Sequence, residues 1–206
     1  MFYIKLSVAR AEEWSELSAA IHLKIDLHIF KCARIGVSTF FSTMNASSPP
    51  PVVRIRLLRS DDMAHFLQLG SLTCGSLHRR AGQTDEDLLQ RFTSFAKEFA
   101  FEPQSEIWVA ETTEGVYAGH LWLHDSVNRF NGVEEMWIWD ISVVPDFRRR
   151  GIGETLMEFA KRRASEKRCT ELWLLVAEDN EPARALYDSS GLGDCARMMK
   201  IRLQAS

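Results

Sequence analysis

Residues Met136–Lys161 read MWIWDISVVPDFRRRGIGETLMEFAK, and this stretch decides the fold. It begins as an apolar strand, stops at Pro145, turns through a basic segment with two glycines and continues as an amphipathic helix. The first turn of a helix has unpaired N–H groups and a positive dipole end, and glycine lets a phosphate approach the backbone closely. The run Arg148–Arg150 adds positive charge there. The sequence therefore predicts a site for a small, strongly anionic ligand at Gly151–Gly153.

Two familiar phosphate loops do not fit this segment. A dinucleotide-binding fingerprint needs a third small residue three positions after Gly153, where this chain has Leu156. A P-loop needs Gly-Lys followed by Ser or Thr, a tripeptide that the chain lacks. The remaining pattern, Arg148-x-x-Gly151-x-Gly153 after a Val-x-Pro strand end, resembles the pyrophosphate loop of the GNAT N-acetyltransferase family, which reads Gln/Arg-x-x-Gly-x-Gly/Ala.

The segment that follows strengthens the resemblance. The apolar run Glu171–Val176 predicts a strand packed on the preceding helix. Asn180 comes next, with an alanine three residues on, then Leu-Tyr at 186–187 and Gly-Leu at 191–192, which is similar to the second sequence block of the GNAT family. Both blocks occur in the expected order, separated by one helix and one strand. The resemblance covers Val52–Leu203.

The predicted elements after Val52 follow the order β-α-α-β-β-β-α-β-α-β and end with a strand at Met198–Leu203. This order matches the α/β fold that the resemblance implies, a mixed, mostly antiparallel central sheet flanked by helices. We expect an N-acetyltransferase domain over 52–206.

Residues 1–51 are expected to be an N-terminal extension that ends in a Ser/Pro-rich linker and that the domain does not need. Ile21–Ile29 alternates apolar and polar residues like a half-buried strand. Met44 stands directly before the linker at 45–51. One hypothesis is therefore that translation starts at Met44 and that 1–43 is an over-extended gene model.

Composition narrows the class of partner. The chain has 206 residues and a net charge of −3, which argues against a nucleic-acid-binding protein, since such domains are usually basic. No uncharged apolar stretch is long enough to span a membrane. The four cysteines have no C-x-x-C spacing, so we expect neither a zinc site nor a disulfide framework, and a reducing, cytoplasmic compartment. For the oligomeric state, both a monomer and a homodimer are open. His120 and His124 share a predicted strand face, but no third metal ligand is apparent and surface histidines are common.

The resemblance implies acetyl-CoA as co-substrate and assigns residues to it. The main chain of Ile141, Ser142 and Val143 would pair with the pantetheine amides. Asn180 would reach the cofactor with its side chain, although Asn before Glu-Pro is also a good helix N-cap. The pyrophosphate would be held, mainly by backbone N–H groups, at Arg148, Arg149, Arg150, Gly151, Ile152 and Gly153.

Two residues are the candidates for proton transfer. Tyr187 matches the family's usual general acid, and a phenol with a pKa near 10 could share its proton with the departing thiolate. The alternative is an aromatic side chain that only packs in its helix. Asp140 is the candidate base for the amine, ahead of Glu134 and Glu135 on the same strand, because it stands next to Ile141. Alternatively, Asp140 faces solvent or an arginine and water relays the proton.

These assignments predict an N-acetyltransferase in which the amine of an unidentified small-molecule or peptide acceptor attacks the thioester directly. A backbone N–H of 141–143 would polarise the carbonyl. No cysteine near the motifs suggests an acyl-enzyme, because Cys169 and Cys195 lie outside them. The alternatives are a non-catalytic acyl-CoA-binding regulatory module, and a different acyl donor or an oxygen acceptor on the same fold.

Overall fold

The computed structural model describes residues 52–199 and residue 201, and its strands form one sheet in the order β1-β2-β3-β4-β5. Strands β1 to β4 pair antiparallel, whereas β5 joins the edge parallel to β4. The predicted mixed, mostly antiparallel sheet is confirmed. The strand bounds are β1 Val53–Leu57, β2 Ser105–Thr112, β3 Tyr117–Val127, β4 Glu134–Val143 and β5 Glu171–Leu174.

Four helices flank the sheet in the described part of the chain, and their order agrees with the sequence pattern. Helix α2 begins as its capping signal predicts: the Thr84 hydroxyl accepts from the Asp87 backbone N–H at 3.1 Å, and the Asp87 carboxylate accepts from the Thr84 N–H at 2.9 Å. The helix bounds are α1 Met63–His78, α2 Asp85–Phe99, α3 Ile152–Glu166 and α4 Glu181–Ser189.

The sheet buries a different hydrophobic cluster on each face. On one face, Leu121 and Leu123 of β3 pack with the buried stripe of α3, which includes Leu156 and Ala160. On the other face, the intervening Trp122 packs with residues of α1 and α2 such as Phe66 and Phe92. Alternate β3 side chains thus face opposite layers, as the twofold period of a strand requires.

Strand β4 contains one extra residue relative to its partner β3. Trp122 pairs with Asp140 and Leu123 pairs with Ile138, so Trp139 has no partner in the ladder. Ile138 packs on the α3 face before this bulge and Ile141 packs there after it. The bulge therefore shifts the alternation and turns Asp140 towards α1 and α2.

The chain ends differ from the sequence pattern or lie beyond the description. At Met198, Met199 and Ile201 the structure has no strand, and these side chains are 74–86% exposed, so the alternation there does not make a strand at these positions. The rest of the predicted strand 198–203, the predicted strand Ile21–Ile29 and the linker 45–51 lie outside the described residues. In the described ranges, no helix is both long and apolar enough to cross a membrane.

An ion-pair cluster fastens helix α3 to strand β2. The Glu106 carboxylate accepts from the Arg163 guanidinium at 2.7 Å through both oxygens, and the Lys167 ammonium lies 3.0 Å away. Lys167 also bonds Asp125 on β3. Burial raises the pKa of Glu106, but the bonds from Arg163 and Lys167 outweigh it and lower the pKa to about 2.

We expect Glu106→Gln to reduce the free energy of unfolding at pH 7 by about 1 kcal/mol, since the cluster is partly open to water. The pKa of Glu106 lies below the ordinary carboxyl value, so its contribution is complete above pH 5 and is lost as the pH falls towards 2. The wild type and E106Q should therefore converge in urea denaturation between pH 5 and pH 3. Glu166→Gln is the control, because Glu166 pairs with the same arginine but is 52% exposed. A constant difference across this pH range would contradict the ion-pair account.

Candidate active site

A cleft opens where strand β5 stops pairing with β4. The last parallel pair joins Ile138 to Leu174, whereas β4 continues to Val143 alongside β3. The cavity has a volume of about 730 Å³. One wall comes from β4 and from the chain after β5, and the other comes from α1, α2 and their connection. The edge of β4 at Ile141–Val143 is therefore not paired with β5.

The glycine turn lies directly beyond the end of β4. Gly151 has φ of 79°, in the left-handed region that glycine adopts without strain, and helix α3 begins at the next residue. Among the described residues, no side chain caps this helix start. Its first-turn N–H groups therefore have no side-chain cap, which is a condition for an anion site at a helix start.

Two arginines of the basic run contact residues just before the glycine turn. The Arg148 side chain donates from Nε to the Val143 carbonyl at 3.0 Å, and the Arg150 guanidinium lies 5.8 Å from the centre of the Phe147 ring. Arg149 has φ of 61°, a left-handed conformation that is unusual for a residue with a side chain. The segment 148–153 does not contribute to the cleft lining but lies next to it along the chain.

Gly153 has a packing role that the sequence did not indicate. A Cβ at this position would lie 3.0 Å from Cδ2 of Leu186, because helix α4 packs closely onto the start of α3. The absence of a side chain at Gly153 therefore lets the two motif-bearing helices approach each other. The predicted close approach of a phosphate and this helix contact are compatible.

Four of the predicted site residues come together in the cleft, namely Asp140, Ile141, Asn180 and Tyr187. Asn180 is the N-cap of α4, since its Oδ1 accepts from the Ala183 N–H at 3.3 Å. Its side-chain nitrogen is still a possible donor towards the cleft. Ile141 packs against the α3 core, so only its main chain would be available to a ligand. Val143 packs there too, whereas Ser142 points to the opposite layer.

Tyr187 lies at the cleft with its ring half-buried in the α3 cluster. Burial, and then the charge of Asp140, raise the pKa of its phenol to about 12. The phenol therefore keeps its proton across the physiological range and is a proton donor. The Tyr187 ring can therefore pack in this cluster while its hydroxyl is still able to donate a proton.

Asp140 is the centre of a buried hydrogen-bond network rather than a solvent-facing strand carboxylate. Its side chain is 1% exposed. The His120 Nε2 lies 2.6 Å from Asp140 Oδ2, the Ser142 hydroxyl donates to Oδ1 at 2.8 Å, and the Tyr117 hydroxyl lies 2.5 Å from His120 Nδ1. Neither solvent nor an arginine satisfies this carboxylate, so that part of the sequence-based interpretation is wrong.

A profile of the acetyltransferase (GNAT) family matches residues 74–192, more than half of the 206 residues. This chain belongs to the GNAT acetyltransferase family. The match includes both sequence blocks and the cleft-lining residues from Cys74 to Tyr187, whereas Ser71 and Thr73 lie just before it. The predicted family is thereby confirmed.

Relatives and solved structures agree with this membership. The chain is 37% identical over 62 residues, 30% of its length and 42% of the relative's, to the ribosomal protein bS18-alanine N-acetyltransferase of Salmonella typhimurium. A solved structure from Pyrococcus furiosus superposes with a TM-score of 0.62 at 22% identity, over 73% of this chain and 100% of that one. The aminoglycoside N-acetyltransferase AAC(6')-Iy, solved in complex with CoA, gives a TM-score of 0.56 at 18% identity, over 79% and 100% of the two chains. At these identities the structures show the fold alone.

The curated relatives are matched over only part of their length. The aligned stretches span between 42% and 52% of them. The family match and the structure show the family and the fold of the chain, and the activity and the acceptor of the whole protein are matters for a proposal.

Cys74 lines the cleft of this GNAT domain, whereas the sequence motifs gave no reason to single out this cysteine as a site residue. Burial, and then the charge of Asp140, raise the pKa of its thiol to about 12. A thiol of this kind is neutral at physiological pH and a poor nucleophile. Among the described residues, the cleft therefore offers no activated cysteine.

His120 lies in the protein interior, whereas the sequence had suggested a surface histidine. It is fully buried, and its ring packs edge-on against Phe66 at 4.9 Å between centroids. A histidine two residues before a buried tryptophan gave no signal of this environment in the sequence. The described residues contain no group of three or more His, Cys, Asp or Glu side chains arranged to hold a metal ion.

The part of the cleft formed by α2 and the β4 bulge is lined by aromatic rings, and two arginines lie at its exposed edge. Phe92 and Phe95 come from α2 and Trp139 from the β4 bulge, and the ring centres of Phe95 and Trp139 lie 5.3 Å apart. Arg80 and Arg91 stand at the exposed margin.

Gly119 of β3 fixes how closely β4 approaches at the site. A Cβ there would lie 2.5 Å from the Ser142 carbonyl oxygen, which is backbone and cannot rotate away. We expect Gly119→Ala to reduce the free energy of unfolding by about 2 kcal/mol, measured by urea denaturation. Gly193→Ala is the control, because nothing lies within 4 Å of the added methyl group. Equal stabilities of G119A and G193A would contradict this close approach.

Proposed function

We propose that this chain is an acetyl-CoA-dependent N-acetyltransferase that moves an acetyl group to a primary amine while both substrates are bound. The observation that carries the proposal is the presence of the Tyr187 phenol and the Asp140 carboxylate in one cleft, on a chain whose strand β4 leads into the uncapped start of α3. Acetyl-CoA would supply the activated thioester acyl group.

The residues present fit two parts of acetyl-CoA, its charged pyrophosphate and the amides of its pantetheine arm. The backbone N–H groups at Gly151, Ile152 and Gly153 would hold the pyrophosphate, with Arg149 adding charge. The free edge of β4 at Ile141–Val143, where pairing with β5 has ended, would offer main-chain groups to the pantetheine amides. The side-chain nitrogen of Asn180 would donate from α4.

Three groups would serve the chemistry. An N–H of the Ile141–Val143 segment would donate to the acyl oxygen, where negative charge grows as the amine attacks. Tyr187 would give its proton to the departing sulfur, which leaves poorly as a bare anion in a dry cleft. Asp140 would receive the proton that the ammonium form of the acceptor must lose before attack.

The acceptor is a primary amine whose remaining parts meet the aromatic wall and the arginine margin. The names of the relatives and structural neighbours include a ribosomal-protein alanine, aminoglycosides and glucosamine-6-phosphate. We therefore propose a small-molecule or peptide amine without narrowing the class further. A cytoplasmic location, a monomeric or homodimeric state and a domain that begins at 52 belong to the same proposal.

The first test is binding and turnover with the full chain. Calorimetry should detect association with CoA, and a thiol-release screen with acetyl-CoA should respond to at least one amine among N-terminal-alanine peptides, aminoglycosides and amino sugars. Binding of CoA with only slow hydrolysis and no responsive amine would favour a non-catalytic acyl-CoA-binding module instead. A panel of acyl-CoA donors and alcohol acceptors separates the remaining variant.

Arg149→Ala should weaken CoA binding about tenfold in calorimetry, because a charged partner of the pyrophosphate is removed. Arg168→Ala is a closely matched control: both arginines are exposed and left-handed, with φ of 61° and 62°, but Arg168 lies at the other end of α3. Equal affinities of R149A and R168A for CoA would exclude a role for this side chain.

Tyr187→Phe should lower kcat by about 10²-fold while leaving the affinity for acetyl-CoA unchanged, because the phenylalanine keeps the packing and loses only the proton. Thiol release measures the rate and calorimetry the affinity. Unchanged kcat in a folded Y187F protein would leave Tyr187 with packing alone.

A further inference from the structure

The charged groups of the cleft have opposite signs at its two ends. Among the described residues that line it, the charged side chains are Arg80, Arg91 and Asp140. Asp140 is 1% exposed, and its negative charge contributes to the raised pKa values of Tyr187 and Cys74. The two arginines are exposed. A ligand in the cleft would therefore meet negative charge at the buried end and positive charge at the exposed edge.

Arg91 of helix α2 has no ion-pair partner among the described residues. The carboxylate of Asp87, one turn earlier on the same helix, accepts from the Thr84 N–H and hydroxyl, both at 2.9 Å. These bonds lower the pKa of Asp87 most, and the charge of Arg91 contributes least to the shift. Asp87 is thus engaged as a helix cap, and the Arg91 guanidinium keeps its donors for a ligand.

A hydrogen-bonded turn holds Arg80 at the edge of the cleft. Its N–H donates to the side-chain oxygen of Gln83 at 2.8 Å, and its carbonyl accepts from the Gln83 N–H at 3.1 Å. Gly82 provides the left-handed residue of this turn, with φ of 83°. The neighbouring Arg79 donates to Asp85 at the start of α2. Of the two adjacent arginines, one therefore fastens the turn, whereas the guanidinium of Arg80 has no partner in the described part of the chain.

An aromatic surface lies between the two ends. The ring centres of Phe95 and Trp139 lie 5.3 Å apart, and Trp139 stacks on His124 at 3.9 Å with an angle of 13° between the rings. Arg91 precedes Phe95 by four residues, so the two side chains are neighbours on one face of α2. A flat or apolar group that packed on these rings would therefore lie next to the Arg91 guanidinium.

The ligand chemistry that suits such an edge is an oxyanion. A guanidinium presents N–H donors in a planar fork that matches carboxylate and phosphate groups. A polycation would instead bring like charges together at the edge, which disfavours its binding.

We propose that the acceptor carries, besides its amine, an anionic carboxylate or phosphate group, which Arg80 and Arg91 bind while the amine faces the end of the cleft at Asp140. The proposal rests on the N-acetyltransferase function proposed above and narrows its acceptor class. The part of the acceptor between the amine and the anion packs on Phe95 and Trp139. Polycationic amines such as aminoglycosides are poor acceptors.

The kinetic test uses the full chain, acetyl-CoA and two pairs of amines that differ in the anionic group. The pair 4-(aminomethyl)benzoate and benzylamine tests a carboxylate, and the pair tyramine phosphate and tyramine tests a phosphate. We expect the anionic member of at least one pair to have the higher kcat/KM, by about tenfold, because it gains charge-assisted hydrogen bonds. This preference should shrink as the salt concentration rises, since the arginines are exposed.

The variants Arg80→Gln and Arg91→Gln should each raise KM for the preferred anionic amine about tenfold and change kcat less than about twofold. The reason is that the anion lies away from the reacting atoms and is bound equally before and during the reaction. KM for the neutral member of the pair should not change. Arg162→Gln is the matched control, because Arg162 is an exposed arginine of α3, which packs on the other face of the sheet.

A second readout does not depend on turnover. Phenylphosphate and benzoate, which have no amine, are titrated by NMR into the full chain saturated with CoA, so that the phosphate site at the glycine turn is occupied. At least one of them should bind the wild type and R162Q equally and bind R80Q and R91Q about tenfold more weakly. Weaker CoA binding in R80Q and R91Q, with no change for either probe, would overturn the proposal and assign the arginines to CoA.

The outcomes separate the acceptor class from the function. If an amine is acetylated but anionic and neutral members have equal kcat/KM, and R80Q and R91Q match R162Q, the acceptor class is overturned while the N-acetyltransferase stands. A polycationic amine as the best acceptor overturns it too. If the probes bind through the arginines but no amine is acetylated, the anion site stands and the acetyl transfer falls. If no probe binds and no amine is acetylated, both fall.

Discussion

The extra residue Trp139 in strand β4 sets the geometry of the cleft. It follows directly after Ile138, the last residue of β4 that pairs with β5. A bulge increases the local twist and bends its strand, so β4 turns away from β5 at this point. Pro145 then ends the strand, since proline has no N–H for the ladder. The cleft and the free strand edge therefore share one local cause.

The same bulge places a carboxylate inside the protein, and the neighbouring elements respond to it. Leaving a buried carboxylate unpaired would cost several kcal/mol. Here β3 supplies His120, β4 supplies Ser142 and α1 closes the remaining space through Gly70, which has no side chain. The position of α1 against the sheet is thus fixed by polar groups as well as by the apolar cluster around Phe66.

Local signals in the sequence were sufficient for most elements of the fold. The glycine turn before α3 and the apolar run of β5 each act within a few residues, and the structure has the predicted helix and strand there. The strand at Met198–Leu203 was also predicted from alternation. Its described residues are exposed and outside the sheet, because alternation cannot say whether a partner strand is within reach.

The candidate site was predictable only where a motif announced it. Tyr187 and Asn180 belong to a recognisable block and lie in the cleft. Thr73, Cys74 and His120 belong to no motif. Thr73 and Cys74 line the cleft and His120 contacts Asp140 only because α1 and β3 pack against β4, far away in the sequence. Their roles depend on tertiary contacts that spacing in a single sequence does not encode.

The two walls of the cleft divide the chemistry between them. Tyr187 and Asn180 come from α4 on the side of β5, together with the free strand edge, so this wall would hold the thioester arm and protonate the sulfur. Thr73 lies on the opposite wall, and aromatic rings and arginines extend that wall towards solvent. Burial keeps the phenol of Tyr187 protonated, whereas the convergent donors around Asp140 satisfy a charged carboxylate. The phenol and the carboxylate therefore lie in one cleft in different surroundings, the phenol against an apolar cluster and the carboxylate among hydrogen-bond partners.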